Sequence, residues 1–195
     1  MGVKMIKLFD EIPTLENERL VLQRLYDTDS EELRAFAHDR NVYRCLPTFL
    51  FEQKYEDPHL VIQKLYTECF QAKESLILGI FLKDTKAFCG LAEFYGFKDA
   101  LHKTCIGYRL AEKYWGQGIA TETVALMADY LYAQTDTEIM TASTMIENRA
   151  SARVLEKNGF LLSAATVPED WGYPRPTIAD KWFREKTHDL DYKRA

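Results

Sequence analysis

Apolar positions along this chain recur with two different periods, and the changes of period mark most of its elements. Arg19 to Leu25 alternates with period two, the pattern of a half-buried strand. Asp27-Thr28-Asp29-Ser30-Glu31-Glu32 then supplies capping side chains and an acidic first turn for a helix through Ala37. A second helix is predicted to start after Asp57, with Pro58 in its first turn, and to run to about Ala72 with Leu60, Ile62, Leu65 and Tyr66 toward the core. Leu76 to Leu82 and Phe88 to Tyr95 read as strands joined by a Lys83-Asp84-Thr85-Lys86 turn, and Leu101 to Leu110 extends the meander. Beyond Ala120, the residues Val124, Met127, Ala128 and Leu131 form one apolar stripe of a strongly amphipathic helix ending near Gln134.

Glu138 to Ile146 must then pair parallel to the strand before that helix, because such a crossover is right-handed. A further helix from Arg149 ends at Asn158-Gly159, a left-handed cap, and hands over to a strand from Phe160 to Thr166. Ala179 to Arg184 reads as the last strand. Val167 to Ile178, with Trp171, Pro174 and Pro176, reads as a long loop, and its length suggests substrate contact. The aromatic stretch Tyr43 to Phe51, interrupted by Pro47, has no regular period and is expected to wall an acceptor site or to pack in the core.

The glycine-rich turn Tyr114-Trp115-Gly116-Gln117-Gly118-Ile119-Ala120-Thr121-Glu122 opens directly into the amphipathic helix. A first helical turn has N–H groups without intrahelical partners and a partial positive charge, so it can bind phosphate by main chain alone. Gly116 and Gly118 remove the side chains that would hold a phosphate away. A Walker loop is excluded, because no lysine follows Gly118. A dinucleotide fingerprint fits poorly, because Thr121 stands at the third glycine position and Ala111 to Trp115 separate the turn from its strand.

Trp115-Gly116-Gln117-Gly118-Ile119-Ala120 resembles the pyrophosphate turn Q/R-x-x-G-x-G/A of the GCN5-related N-acetyltransferases (the GNAT superfamily), except at its first position. Cys105-Ile106-Gly107-Tyr108-Arg109-Leu110 resembles the strand that carries the pantetheine arm of acetyl-CoA in that superfamily. Downstream, the run from Glu147-Asn148-Arg149-Ala150-Ser151 to Asn158-Gly159-Phe160 is similar to the N-x-x-S-x-x-V-L-E-K-x-G-F helix of the Rim-type branch, which includes ribosomal-protein N-terminal acetyltransferases and also shows tryptophan at the head of the turn. The likeness covers Leu15 to about Arg184.

This resemblance implies an α/β fold of the α+β mixed-sheet kind: a mostly antiparallel central sheet with a splayed parallel central pair and flanking helices, in one domain with its core at about 15–185. It implies acetyl-CoA as co-substrate, bound by Leu110, Ala111, Trp115, Gly116, Gln117, Gly118, Ile119, Ala120, Thr121 and Asn148, with Ser151 near the sulfur. Capping its helix would account for Asn148 without any ligand. A tyrosine that serves as general acid elsewhere in the superfamily is Leu155 here, which leaves Ser151 to stabilise the departing thiolate or only to pack. Glu93 is the favoured base, acting through water, with Glu169 and Asp170 as alternatives and a solvent-facing strand position as the plain reading. Glu122 is assigned to the helix dipole, and Trp115 and Tyr108 to packing around the cofactor cleft.

Composition agrees with this. The 195 residues, 47% of them apolar, suit a single globular domain without linker or repeat, and a net charge of -5 argues against nucleic acid. Lys4, Lys7 and Asp10 interrupt any leader-like apolar run, and no membrane span is expected. Cys45, Cys69, Cys89 and Cys105 lack C-x-x-C spacing, so free thiols in a reducing cytoplasm are expected. His38, His59, His102 and His188 lack metal-ligand spacing, so no metal site is expected. The expected activity is direct acetyl transfer to an amine, with a protein N-terminus as the leading acceptor on the resemblance to the Rim-type branch and a small molecule such as a polyamine, an aminoglycoside or an amino-acid analogue as the alternative. The Rim-type branch commonly forms homodimers. A non-catalytic acyl-CoA-binding module and an NAD-dependent enzyme are the alternatives from other classes.

Overall fold

The computed structural model describes residues 8–187; His188, Lys4 and Lys7 lie outside them. Among the described residues eight strands form one sheet in the order β1-β2-β3-β4-β5-β6-β8-β7. They are β1 (Leu15–Glu16), β2 (Leu20–Gln23), β3 (Ser75–Leu82), β4 (Phe88–Lys98), β5 (Lys103–Leu110), β6 (Ile139–Met145), β7 (Leu161–Glu169) and β8 (Thr177–Glu185). Every neighbouring pair is antiparallel except β5 and β6, which the crossover helix α4 (Ile119–Gln134) joins in parallel. The expected mixed sheet with a parallel central pair is therefore what the chain forms.

Alternation along the central strands sends side chains into two cores, one on each face of the sheet. Leu78, Ile80, Ala92, Phe94, Ile106 and Leu110 pack with α4 and with Ala152 and Leu155 of α5 (Arg149–Lys157). Ile77, Phe81, Phe88 and Leu91 pack on the other face against Leu33 and Phe36 of α1 (Ser30–Ala37) and against Val61 and Ile62 of α3 (Pro58–Lys64); α2 (Arg40–Tyr43) is a single short turn between them. Burial on α4 is wider than one stripe, because Thr123 and Tyr130 are enclosed together with Val124, Met127, Ala128 and Leu131.

Two expectations are corrected. The helix predicted to about Ala72 is α-helical only to Lys64 and continues as a π-turn over Leu65–Cys69, with Phe70 N–H donating to Leu65 O at 3.0 Å. The wider turn brings Leu65, Tyr66 and Cys69 all to the sheet, where the Tyr66 hydroxyl accepts from Leu25 N–H and donates to Ile77 O. The long loop at 167–178 is much shorter. Val167, Pro168 and Glu169 stay in β7, paired with Ala179, Ile178 and Thr177, so only residues 170–176 connect the strands. β7 is the edge strand, where a proline without an N–H does not break a ladder on its open side.

Candidate active site

β5 and β6 keep register for three pairs only, Lys103–Ile139, Thr104–Met140 and Cys105–Thr141, and then diverge. What they expose follows from the ladder on the other side of β5. Ala111 N–H donates to Cys89 O at 2.9 Å, which makes Gly90–Leu110 a non-hydrogen-bonded pair. Alternation then turns the N–H and C=O groups of Ile106, Tyr108 and Leu110 away from β4, toward the gap. Trp115 Nε1 takes the Leu110 carbonyl at 2.8 Å, while the Tyr108 and Leu110 N–H groups face the opening. A strand-like amide arm can pair with such an edge.

The glycine turn stands at the end of β5. Gly116 and Gly118 have φ of 71° and 82°, so glycine is required there by conformation, and a Cβ on Gly116 would meet nothing within 4 Å. Gly118 is the N-cap of α4 and brings no side-chain cap, which leaves the first-turn N–H groups of Ile119, Ala120 and Thr121 to an outside acceptor. These residues fit a pyrophosphate. Glu122, in the same first turn, pairs with Arg19 at 2.8 Å and accepts from Asn17, and Arg19 also donates to Gln117 O, so the pair braces the turn. α5 differs from α4 in this respect. Asn148 caps it through the Ser151 N–H at 3.2 Å, the structural role that the sequence already allowed.

A cleft of about 440 Å³ passes through the splay and joins the two faces of the sheet. It brings together Glu93, Asn148, Ser151, Glu169 and Asp170, all named from sequence. Leu110, the last residue of β5, and the glycine turn that follows are not among its lining residues. Cys45 to Phe51 supplies much of one wall, with Leu46, Pro47, Phe49 and Leu50 turned to the cleft. The short 170–176 connection holds that wall in place. Thr48 N–H and Oγ1 donate to Trp171 O at 2.9 and 3.2 Å, and the Tyr173 hydroxyl donates to Leu46 O at 2.8 Å.

Glu93 is not solvent-facing. Its Oε1 accepts from Ser75 Oγ at 2.7 Å and its Oε2 from Arg109 Nη1 at 2.8 Å. Arg109 in turn meets Glu52 through Nε at 2.5 Å and Nη2 at 2.6 Å, and the Tyr43 hydroxyl donates to Glu52 Oε1 at 2.9 Å. Burial alone would pull the Arg109 guanidinium down, but Glu52 and Glu93 together outweigh it and hold the group protonated. Burial, reinforced by Glu52, pushes the Tyr43 phenol up. Sequence reading missed this network because Glu52 lies in an irregular stretch and Arg109 in a strand read for its backbone; a charged residue between the core positions Tyr108 and Leu110 was the available signal.

Glu169 is engaged much as Glu93 is, since Lys181 pairs with one oxygen and Trp171 Nε1 donates to the other at 3.2 Å. Asp170 Oδ1 accepts from Gly172 N–H at the cleft mouth. On the opposite face the Tyr108 hydroxyl lies 2.7 Å from Ser151 Oγ and 3.3 Å from Ser151 O. Burial pushes the Tyr108 phenol up, with the Ser151 hydrogen bond acting against it. Cys69, which also lines the cleft, has its thiol pushed up to about 11 by burial and so stays protonated at neutral pH. Among the described residues no His, Cys, Asp and Glu cluster could hold a metal ion, and no helix is long and apolar enough to cross a membrane.

A mixed sheet opened at its parallel pair, beside a helix start that lacks its own cap, defines an acyl-CoA-dependent transferase site. The family described as an acetyltransferase (GNAT) domain matches residues 19–161, and the chain belongs to it. The uncharacterized N-acetyltransferase YoaA of Bacillus subtilis is 28% identical over 148 residues, 76% of this chain and 82% of that one. Among solved structures, a ribosomal alpha-N-protein acetyltransferase, RimL, in complex with coenzyme A shares the fold at a TM-score of 0.73 and 18% identity, over 89% of this chain and 98% of that one. A spermidine N-acetyltransferase from Vibrio cholerae in complex with CoA and spermine does so at 0.71 and 18%, over 87% and 96%. The protein is an N-acetyltransferase with acetyl-CoA as its co-substrate.

Proposed function

We propose that the acceptor is a small amine carrying further positive charge, of the polyamine class, and that it takes the acetyl group directly from acetyl-CoA. The observation that carries this is the charge of the cleft. Glu74, Glu93, Glu169 and Asp170 line it against Lys54 and Arg109, while Glu52 behind Arg109 adds another negative charge and Lys181 offsets Glu169. The remaining acidic excess would concentrate a cation at the opening. Direct transfer, without an acyl-enzyme intermediate, is what the family resemblance implies.

In this reading the Tyr108 and Leu110 N–H groups bind the arm and the thioester oxygen, Gly116 to Thr121 with Trp115, Gln117 and Ala111 hold the pyrophosphate end, and Asn148 and Ser151 border the sulfur. Main-chain donors fixed in advance stabilise the oxyanion without reorganisation. Glu93, anchored by Arg109 and Ser75, accepts the amine proton through water.

A protein N-terminal α-amine is the second reading, supported by the tryptophan form of the turn and by the likeness to RimL. Deprotonating an α-amine at pH 7 costs roughly 1 kcal/mol, against roughly 4.6 kcal/mol for a lysine-like amine. We place the chain in the cytoplasm on the strength of its four free thiols. The test is thiol release from acetyl-CoA across polyamines, aminoglycosides, amino acids and short peptides. Turnover highest with polyamines supports the proposal, turnover confined to peptides selects the second reading, and acetyl-CoA binding without thiol release from any amine overturns both.

A further inference from the structure

Leu155 is fully buried in the core beside the cleft, so no acid projects from that position of α5. The same wall holds a different pair of hydroxyls. Tyr108 rises from β5 at the point where β5 leaves β6, and its hydroxyl crosses to the first turn of α5, 2.7 Å from Ser151 Oγ. Both residues line the cleft with Asn148 and Leu155. Ser151 has one hydroxyl proton, and the direction of this bond decides where that proton points. If the serine donates to the phenol, its proton is turned away from the cleft. If the phenol donates to the serine, that proton is released to a ligand.

We infer that Tyr108 is a positioning residue that donates its hydroxyl to Ser151 Oγ, so that the Ser151 hydroxyl donates to the sulfur leaving the thioester. The assignment rests on the reading of this cleft as the thioester site. The Tyr108 hydroxyl also lies 3.3 Å from Ser151 O, which can only accept, so the phenol proton is directed at Ser151, with the shorter contact at Oγ. The amine nitrogen bonds to the acetyl carbon, the carbon–sulfur bond breaks, and its electron pair leaves on sulfur. The ammonium proton goes to water on the Glu93 face. The thiolate is held by the Ser151 hydrogen bond and is protonated by solvent on release, while Ser151 and Tyr108 keep their own protons. Two hydroxyls in series suit this task better than proton donation, because neither is acidic enough to protonate a thiolate whose thiol has a pKa of about 8.5.

The experiment compares wild type with Tyr108→Phe, Ser151→Ala and the double variant. Tyr108→Phe should lower kcat about tenfold while KM for acetyl-CoA changes less than about twofold, and the double variant should fall little below Ser151→Ala, because the two act as one unit. A second readout needs no turnover: at pH 8.5, wild type should bind CoA more tightly than desulfo-CoA, and Tyr108→Phe should erase most of that preference. A purely structural role would weaken both ligands alike. An unchanged kcat in Tyr108→Phe, additive losses in the double variant, or an unchanged CoA to desulfo-CoA ratio overturns the relay. Absence of wild-type turnover with every amine would instead strike the proposed function, and the binding ratio would still decide the relay.

Discussion

Arg109 on β5 and Glu52 on the short 3-10 turn at Phe51–Gln53 meet in a two-pronged ion pair, at 2.5 and 2.6 Å, with side chains 3% and 0% exposed. The pair ties the irregular wall of the cleft to the floor of the sheet. Two parallel N–H···O bonds fix the plane of the carboxylate as well as its distance. Arg109 reaches past it to Glu93, so one guanidinium positions both the wall and the candidate base.

Glu52→Ala leaves Arg109 buried with only Glu93 as counter-charge. Breaking one partner of a buried pair costs about 3–5 kcal/mol, so Tm should fall by several degrees and KM for the amine should rise. Acetyl-CoA affinity should hold, since the glycine turn is not part of this network. Calorimetric unfolding together with steady-state kinetics checks all three; an unchanged Tm would remove the ion pair from the account of the wall.

Gly118→Glu should abolish acetyl-CoA binding. The position has φ of 82°, which disfavours any L side chain, and the new carboxylate would sit at a helix start proposed to receive phosphate. Titration calorimetry reads the result directly, and retained affinity would show that the phosphates bind elsewhere.

Gly172→Ala should loosen the acceptor wall without touching the cofactor. A Cβ there would fall 2.0 Å from Thr48 Oγ1, and φ of 81° adds strain, so the hydrogen bonds from Thr48 to Trp171 O would have to break. The expected pattern is a raised KM for the amine with KM for acetyl-CoA unchanged. Equal changes in both would mean that the connection serves general stability.

Glu93→Gln should lower kcat about tenfold or more, whereas Glu169→Gln should stay within about threefold, because Glu93 stands opposite Gly107 on the strand that borders the splay and Glu169 ends the edge strand. Kinetics at saturating substrate separate them. The reverse order would move the base to the β7 end.

Stability should decline in alkaline solution. Burial raises the Cys69 and Cys89 thiols from 9.0 to about 11 and also raises the Tyr66, Tyr95 and Tyr108 phenols. The folded chain therefore keeps protons that the unfolded chain gives up. That contribution is complete below pH 9 and is lost as pH rises through about 11, so Tm should be level near pH 8 and fall between pH 9 and 11. Cys89→Ala should flatten part of the fall.

Much of this was legible in one dimension. Strand alternation, the Asp57-Pro58 helix start, the Asn158-Gly159 stop and the crossover after Gln134 are local signals, set by backbone sterics, capping and side-chain period, and the elements at β3, β4, β5, α4 and α5 fall where those signals put them. The glycine turn was legible for the same reason, since a left-handed φ is a property of one residue. The π-turn at Leu65–Cys69 and the length of β7 were not, because each depends on what the segment packs or pairs against: the sheet beneath Tyr66, and β8 beside Pro168.

The sequence by itself therefore determined the order of the elements and the glycine turn, which arise from interactions within a few residues, and, through the handedness of crossovers, the parallel pair. The tertiary structure decided which polar side chains meet. Arg109 finds Glu52 at 57 positions' separation and Tyr108 finds Ser151 at 43, and in both cases the partners are chosen by how the sheet stacks its helices and loops. Such pairs leave no periodic trace, because the desolvation that makes them matter exists only once the core around them has closed.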